Sequence, residues 1–480
     1  MNTISNFVLE LKLEPEKYQA DILNKRLELG RQIYNSCLNE LYKRYRLMTE
    51  SKEYCRTIKL PKTDKHKNKT LSSLNIRYGL TEYSLHAFVK PIQHHFKQNI
   101  DSFTAQKIAT RCFDAFKGVI YHKAKKAHFK KYGEMNSLEG KSNGTGIRFI
   151  NNALSWNKIT IPAILRTKDP YAQMALEKPV NYCRVVRKGE KYYLQLVFTG
   201  IPPRKLAADG EIRRTVGTGS VGIDIGTQTI AICSDKAVKL LELAPEINTT
   251  NDEIRLLQRR MDRSRRSMNP DKYQPNGTIN RSNTAKWVKS KHYHQIQKKL
   301  CKFKNKQRAI RKQSHNIMAN YIVSLGAEVY VEEMNFRGLQ KRAMKTTQNA
   351  QGKNNKKKRF GKSLANKAPA MLPTLLNNKL EQLGTKLFAI DTAKVKASQY
   401  NHATDCFVKK ELGERWNSID GIEIQRDLYS SFLIMNVNPD LSSVNREKCV
   451  ATYPNFVRLH DLEIQRIKTG HGKKLASMGL

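Results

Sequence analysis

Acidic residues are scarce in this chain. Its 480 residues carry 42 Asp and Glu against 87 Lys and Arg, a formal charge of +45. An enzyme of small metabolites rarely tolerates such self-repulsion. Membrane-surface and ribosomal proteins share it, but phosphate backbones neutralise it most economically, so nucleic acid is the expected partner. Long apolar runs are also missing, none approaching the length that spans a bilayer, and the opening MNTISNFVLELKL lacks a signal-peptide pattern, so no membrane partner is expected. The eight cysteines (Cys37, Cys55, Cys112, Cys183, Cys233, Cys301, Cys406, Cys449) include no CxxC pair. That spacing argues against a disulfide framework or a zinc ribbon and fits a reducing cytoplasm.

What is present divides into two kinds of sequence, in a chain long enough for two or three domains. Phe7, Leu9, Leu11 and Leu13 alternate with Val8, Glu10 and Lys12, so the chain opens on a strand. Helical periodicity then runs from Pro15 to about Met48, and Lys-rich helical sequence continues to about Tyr132. Residues 14–140 thus read as a mostly helical insertion. From Gly146 strands return: GIRFI, KITIPAIL, and NYCRVV with KYYLQLVF around the turn Arg187-Lys188-Gly189-Glu190. Segments 1–13 and 141–205 are expected to form one β-barrel-like module. A linker rich in Gly, Pro and charge, Gly200 to Gly219, marks a boundary before a second region, 215–480. There VGIDIG, TIAICSD and VKLLEL read as a strand meander. A long basic helical region, the strand EVYVEEM, a helix around Met371 to Leu383 and the strand KLFAID follow, a pattern that predicts a mixed α/β sheet.

No carboxylate occurs from Lys272 to Ala327 or from Met334 to Leu380. Within the first stretch, Ile296, Leu300, Phe303, Ile310 and Ile317 form a helical stripe expected to pack. Lys298, Lys299, Lys302, Lys306, Arg308 and Lys312 lie on the opposite side. A charge run is usually only a solvated face, but one of this length with no balancing anion reads as a phosphate track. The segment 351–363, QGKNNKKKRFGKS, is expected to be a loop that orders on nucleic acid.

Against this background, acids on hydrophobic strands stand out. Asp224 interrupts Val221-Gly222-Ile223-Asp224-Ile225-Gly226, where Asp is disfavoured. Glu332 and Glu333 end the run Val329-Tyr330-Val331, and one of them must face away because strand neighbours alternate. Asp427 begins the helix Leu428 to Ile434. An ordinary N-cap is the commoner role for such a residue taken singly. Carboxylates at strand ends and a helix start, around one cleft, suit two divalent ions about 4 Å apart that hydrolyse a phosphodiester.

VGIDIGTQTIAICSD, VYVEEMNFRGL and IQRDLYSSFLI resemble the three acidic segments of a split RuvC nuclease domain. Their order resembles that of TnpB proteins of insertion sequences and the compact type V CRISPR effectors related to them. Distinctive motifs occupy about 219–340 and 395–436. The resemblance implies an RNase H-like α/β nuclease domain over 215–480, a wedge module (1–13 and 141–205) and a helical recognition lobe (14–140). It implies Asp224, Glu332 and Asp427 as catalytic, Mg²⁺-binding residues, with two ions. The run IRLLQRRMDRSRRS is similar to the family's arginine-rich helix, placed at about 253–268. Its Arg255, Arg259, Arg260, Arg263, Arg265 and Arg266, with Lys298, Lys302 and Arg308, are the expected nucleic-acid contacts. Arg255, Arg259, Arg263 and Arg266 fall on one helical face. Guide RNA and target double-stranded DNA are the implied partners, in a bacterial or archaeal cytoplasm. One departure is plain. Most of the family carry a four-cysteine zinc ribbon where this chain has an insert at about 395–422, KASQYNHATDCFVKKELGERW, with only His402 and Cys406 as candidate ligands. Two are too few, so no zinc is expected.

Three other readings compete. GIDIGTQT also resembles the first phosphate loop of the sugar kinase, actin and heat-shock chaperone superfamily. Such proteins need a late Gly-Gly adenosine loop, and the only close glycine pair after Gly384 is Gly470-His471-Gly472 in a basic tail. A guide-bound DNA-binding protein without cleavage would usually have lost a carboxylate, and all three are present. A transposase or integrase shares the metal chemistry and differs in the nucleophile.

Overall fold

The computed structural model describes residues 6–479 except 62, 167–168, 208, 215, 342–346, 350, 353–359, 410, 412 and 471–474. Most of the lysine-rich 351–363 segment, and His471 with Gly472, therefore lie outside the described residues. The chain divides into two compact units, one ending at Gly210 and the other starting at Glu211.

The amino-terminal unit runs β1 (Asn6–Leu13), α1 (Lys17–Thr49), α2 (Lys52–Lys59), α3 (Lys65–Arg77), α4 (Glu82–His95), α5 (Ser102–Ile120), β2 (Ser137–Glu139), β3 (Arg148–Ile150), β4 (Ala153–Trp156), β5 (Ile159–Ile164), α6 (Pro170–Leu176), β6 (Tyr182–Lys188) and β7 (Lys191–Thr199). Its strands make one seven-stranded antiparallel sheet in the order β2-β6-β7-β1-β5-β4-β3. The alternation in β1 buries Phe7, Leu9, Leu11 and Leu13, and Phe7 stacks on Phe198 of β7 at 4.9 Å. Leu23, Ile33, Leu38 and Leu41 of α1 are fully buried in the same core; each such side chain contributes about 1.5–3 kcal/mol of burial.

One polar knot ties helices to sheet. Arg26 of α1 donates to the carbonyls of Trp156 (2.9 Å) and Asn157 (2.7 Å) and lies 4.5 Å from the Trp156 ring centroid. Trp156 Nε1 donates to Asp101 (2.9 Å), which also caps α5 by accepting from the Thr104 N–H (2.9 Å). Burial lowers the Arg26 pKa to about 10, and Asp101 opposes the shift. The helices stop short of expectation. Helix α5 ends at Ile120, and residues 121–132 form a non-helical strap that begins with a turn at Tyr121 and His122.

The carboxy-terminal unit runs β8 (Ser220–Ile225), β9 (Thr229–Ser234), β10 (Val238–Glu242), α7 (Asn251–Ser267), α8 (Lys291–Leu325), β11 (Glu328–Glu332), α9 (Phe336–Leu339), α10 (Gly361–Lys367), α11 (Met371–Glu381), β12 (Leu387–Ile390), α12 (Thr392–Val395), β13 (Tyr400–Asn401), β14 (Cys406–Phe407), β15 (Trp416–Ile419), β16 (Ile422–Gln425), α13 (Arg426–Met435) and α14 (Arg446–Thr469). Five strands form a mixed sheet in the order β10-β9-β8-β11-β12. β8, β9 and β10 are an antiparallel meander, while β11 is parallel to both β8 and β12. Val221, Ile223, Val329 and Val331 share a core with α8 and α11 on one face. On the other face lie α13 and α14, whose core takes Ala231, Cys233, Leu240 and Ile390 from the sheet. Among the described residues, no helix is long and apolar enough to cross a membrane.

Helix α13 is buried from Leu428 to Met435, the mark of a helix enclosed on all sides. It can lie against β8 only because Gly222 has no side chain. A Cβ there would collide with the Ser431 carbonyl oxygen and the Met435 nitrogen. Gly222→Ala is therefore expected to displace α13 and cost about 1–3 kcal/mol. Chemical denaturation checks it, and a variant as stable as the parent would show that the helix does not depend on this contact.

Candidate functional site

Strands β8 and β11 run side by side with Val331 paired to Ile223, so Glu332 and Asp224 follow in register at their carboxy-terminal ends. Because Ile223 and Val331 point into the α8/α11 core, alternation turns Asp224 and Glu332 to the opposite face. That face carries α13, whose first turn supplies Asp427. The structure thus brings the three sequence-predicted acids together. It also separates the glutamate pair: Glu332 is half-buried, Glu333 exposed.

Burial raises the Asp224 pKa well above the ordinary carboxylate range, and the charges of Asp427 and Glu332 add to the shift. Burial likewise raises Glu332, opposed by a hydrogen bond with Thr392, and raises Asp427, opposed by Arg415 and Arg426 and by a hydrogen bond with Gln425. Glu463 makes a telling contrast. It is more deeply buried than any of the three, yet its carboxylate accepts from the Leu240 N–H (2.9 Å), Lys239 (2.9 Å) and Arg466 (2.6 Å), which hold its pKa below the usual value despite burial. A structural acid comes with its partners; the 224/332/427 cluster lacks enough of them. Its all-oxygen donors suit a hard divalent cation. As placed, they are not gathered into a metal site: among the described residues no three His, Cys, Asp or Glu side chains are grouped so that they could hold a metal ion.

Several positioning residues were invisible in the sequence. Asp427 is not the N-cap of α13; Gln425 is, accepting from the Leu428 N–H at 2.8 Å. The Gln425 N–H in turn donates to Nε2 of His460 (3.0 Å), whose Nδ1 donates to Asp461 (2.8 Å). That donor fixes the His460 tautomer, and burial keeps its pKa below the usual value. Arg415 reaches Asp427 at 3.8 Å. Arg426 donates to the Glu411 carbonyl at 3.0 Å. Only the adjacency of Arg426 to Asp427 could have signalled any of these.

The basic helices α7 and α8 pack through Leu257, Ile296 and Leu300. Arg259, Arg260 and Arg263 are exposed, as are Lys298, Lys302 and Arg308. Among the described residues no carboxylate lies in ion-pair reach of these six, whereas Arg255 sits 3.7 Å from exposed Asp252. Arg265 and Arg266 are engaged: Asp262 takes both, at 2.5 and 2.8 Å, and they lie over Trp287 and Tyr273. The expected apolar stripe also breaks. Ile317 is 57 % exposed, because the buried line continues through Gln307, His315, Ala319 and Ile322. Ile317 lies two residues from His315, about 200° round the helix.

In the insert, His402 is a core residue. Its Nδ1 meets the Tyr429 hydroxyl at 2.7 Å and its ring lies 4.7 Å from that of Tyr453, whereas Cys406 is exposed.

No protein-family model and no curated protein matches this chain. Solved structures that resemble it include a cryo-EM structure of a Cas12i–crRNA–dsDNA complex, at 9 % sequence identity and a TM-score of 0.26. The match covers 93 % of this chain and 64 % of that one. At that level the site is read from its own residues.

The raised carboxyl pKa values carry a sign. The folded state prefers the neutral acid, so ionisation destabilises the metal-free protein as pH rises through the raised pKa. Asp224→Asn is expected to stabilise the metal-free protein by roughly 1–2 kcal/mol at pH 8. The gain should shrink as pH falls, because the parent acid then becomes neutral as well. Thermal melts in chelator across this range test it; a variant no more stable at pH 8 would mean that Asp224 is adequately paired.

Proposed function

We propose that this protein is an RNA-guided, magnesium-dependent DNA endonuclease whose carboxy-terminal unit is a split RuvC domain of RNase H-like topology. The observation that carries the reading is the under-compensated trio Asp224, Glu332 and Asp427, delivered by two parallel strand ends and a helix start. These three would hold two magnesium ions, which when bound supply an activated water and neutralise the leaving oxygen of a phosphodiester. Asp224, at the centre of the trio, takes the largest share of the repulsion that a cation relieves. Arg415 and Arg426 face the same negative charge and partly offset the effect of burial on Asp427. The Asp461–His460–Gln425 chain fixes the start of α13, so the Asp427 carboxylate is held by a rigid helix rather than a loop.

In this reading 1–13 and 141–205 form the wedge, 14–140 the recognition lobe, and guide RNA with target double-stranded DNA are the partners. Sequence would be read by base pairing while the protein holds backbone. Arg259, Arg260 and Arg263 with Lys298, Lys302 and Arg308 are the phosphate contacts that the free, exposed cations support. Arg265 and Arg266 hold the loop after α7. No zinc is proposed for the insert, a reading supported by the engagement of His402 with Tyr429.

Two measurements bear on this. Asp224→Ala and Glu332→Ala should each abolish DNA cleavage while leaving nucleic-acid affinity within about two-fold, and Glu333→Ala should retain most activity; full cleavage by the Asp224 variant would falsify the site. Replacing Arg259 and Arg263 by Ala should flatten the salt dependence of RNA binding by roughly 0.7 to 0.9 log–log units per contact. Replacing Arg265 and Arg266 should cost stability and leave that slope nearly unchanged, and equal slopes for all variants would remove the α7 face from the interface.

A further inference from the structure

The strap at 121–132, Tyr-His-Lys-Ala-Lys-Lys-Ala-His-Phe-Lys-Lys-Tyr, lies within the stretch read as the recognition lobe, but that reading gives none of its residues a role. It is not a loose loop. The Tyr42 hydroxyl both donates to the Ala127 carbonyl and accepts from its N–H, each at 2.8 Å. Asn35 clamps Lys130 in the same way, at 2.9 Å to its N–H and 2.9 Å to its carbonyl, and Arg31 adds a bond of 3.0 Å to that carbonyl. Helix α1 therefore holds an extended backbone at two fixed points.

What the strap displays is equally specific. Every residue is exposed except buried Ala127 and half-buried Lys130. Tyr132 is 85 % exposed and Tyr121 60 %. Phe129 is 50 % exposed; one ring face rests on Tyr42, with centroids 6.1 Å apart and planes 29° apart, leaving its other side outward. Lys123, Lys125 and Lys126 lie between Tyr121 and Phe129, and Lys131 between Phe129 and Tyr132; no carboxylate lies in ion-pair reach of them among the described residues. The sequence itself has no acid between Asp114 and Glu134.

Exposed aromatic rings are costly unless something covers them, and unpaired ammonium groups of one sign repel unless anions lie between them. One ligand class answers both. Unpaired nucleotides offer flat faces that stack on aromatic rings and phosphates that meet lysines, without regard to sequence. A duplex hides its base faces and could use only the lysines. An anionic membrane surface would meet the lysines, but it would leave the stacking faces of Tyr121, Phe129 and Tyr132 without flat partners.

We propose that the α1-anchored strap is a binding surface for single-stranded nucleic acid, with Phe129 and Tyr132 as stacking platforms and Lys123, Lys125, Lys126 and Lys131 as phosphate contacts. It is distinct from the carboxylate site and independent of cleavage.

The test uses the full chain carrying Asp224→Asn, in chelator, so that nuclease activity plays no part. Fluorescein-labelled oligo(U), oligo(dT) and a blunt duplex are the probes. Phe129→Ala with Tyr132→Ala should weaken binding of both single strands by roughly ten-fold or more, change duplex binding by less than about two-fold, and leave the salt slope unaltered. Lys125→Gln with Lys126→Gln should instead lower the single-strand slope by roughly 0.7 per lysine. Phe129→Leu, which keeps an apolar contact on Tyr42, and Tyr132→Ala alone, at an open position, separate loss of stacking from loss of fold; each should melt like the parent and still weaken single-strand binding. Unchanged single-strand affinity in the double aromatic variant would overturn the proposal. So would an equal loss on duplex, or a loss confined to vesicles of anionic lipid.

Discussion

The approach of α13 to β8 is the constraint on which the candidate site depends. A helix lying directly on a strand brings its first turn to the strand's end, and only there can Asp427 meet Asp224. Gly222 permits the approach, and Ser431 keeps its hydroxyl bonded to the Leu428 carbonyl within the helix at 2.8 Å. The same contact covers part of Asp224, so the packing that assembles the cluster also removes some of its water. Assembly and electrostatic stress are one event here. A helix set further out would leave three ordinary, solvated acids.

That stress separates two populations of buried charge in the carboxy-terminal unit. Glu463 and Lys367 are buried with a full complement of partners; Lys367 meets Glu242 at 2.5 Å and the Ala244 carbonyl at 3.2 Å. They lock β10 to its neighbours. Asp224 and Glu332 are half-buried with their charge only partly offset. Burying a charge without its counterion is expensive, and such sites persist where a ligand supplies the counterion.

The strands were legible because their patterns are local. Alternation in β1 and the apolar run before Glu332 could be read without neighbours, and Asp224 stood out against its own strand. The partition of Glu332 from Glu333 was foreseen as a parity problem, and burial settled which one faces α13. Other features were not local. Arg415, just before β15, and His460 with Asp461, on α14, look ordinary in sequence and matter only through the packing that brings them to Asp427 and Gln425. Residues 121–132 have a Lys- and Ala-rich, helix-compatible composition, but Tyr42, Asn35 and Arg31 claim the backbone groups that a helix would use. Tertiary hydrogen bonding outweighs a weak propensity. Ile317 failed because the buried line on α8 follows the surfaces presented to it rather than a fixed count.

The knot joining Arg26, Trp156 and Asp101 sets a limit on how this chain can be shortened. Asp101 is at once the cap of a helix and the acceptor for a tryptophan of the sheet, while Arg26 closes the carbonyls of the following turn. Helices inserted between β1 and β2 look like a detachable cassette when the chain is drawn as a line. In three dimensions their removal would strand a buried indole N–H and two carbonyls inside the remaining sheet. A smaller version of this protein would have to be trimmed at the edges of the lobe, around α2 and α3, and not at its root.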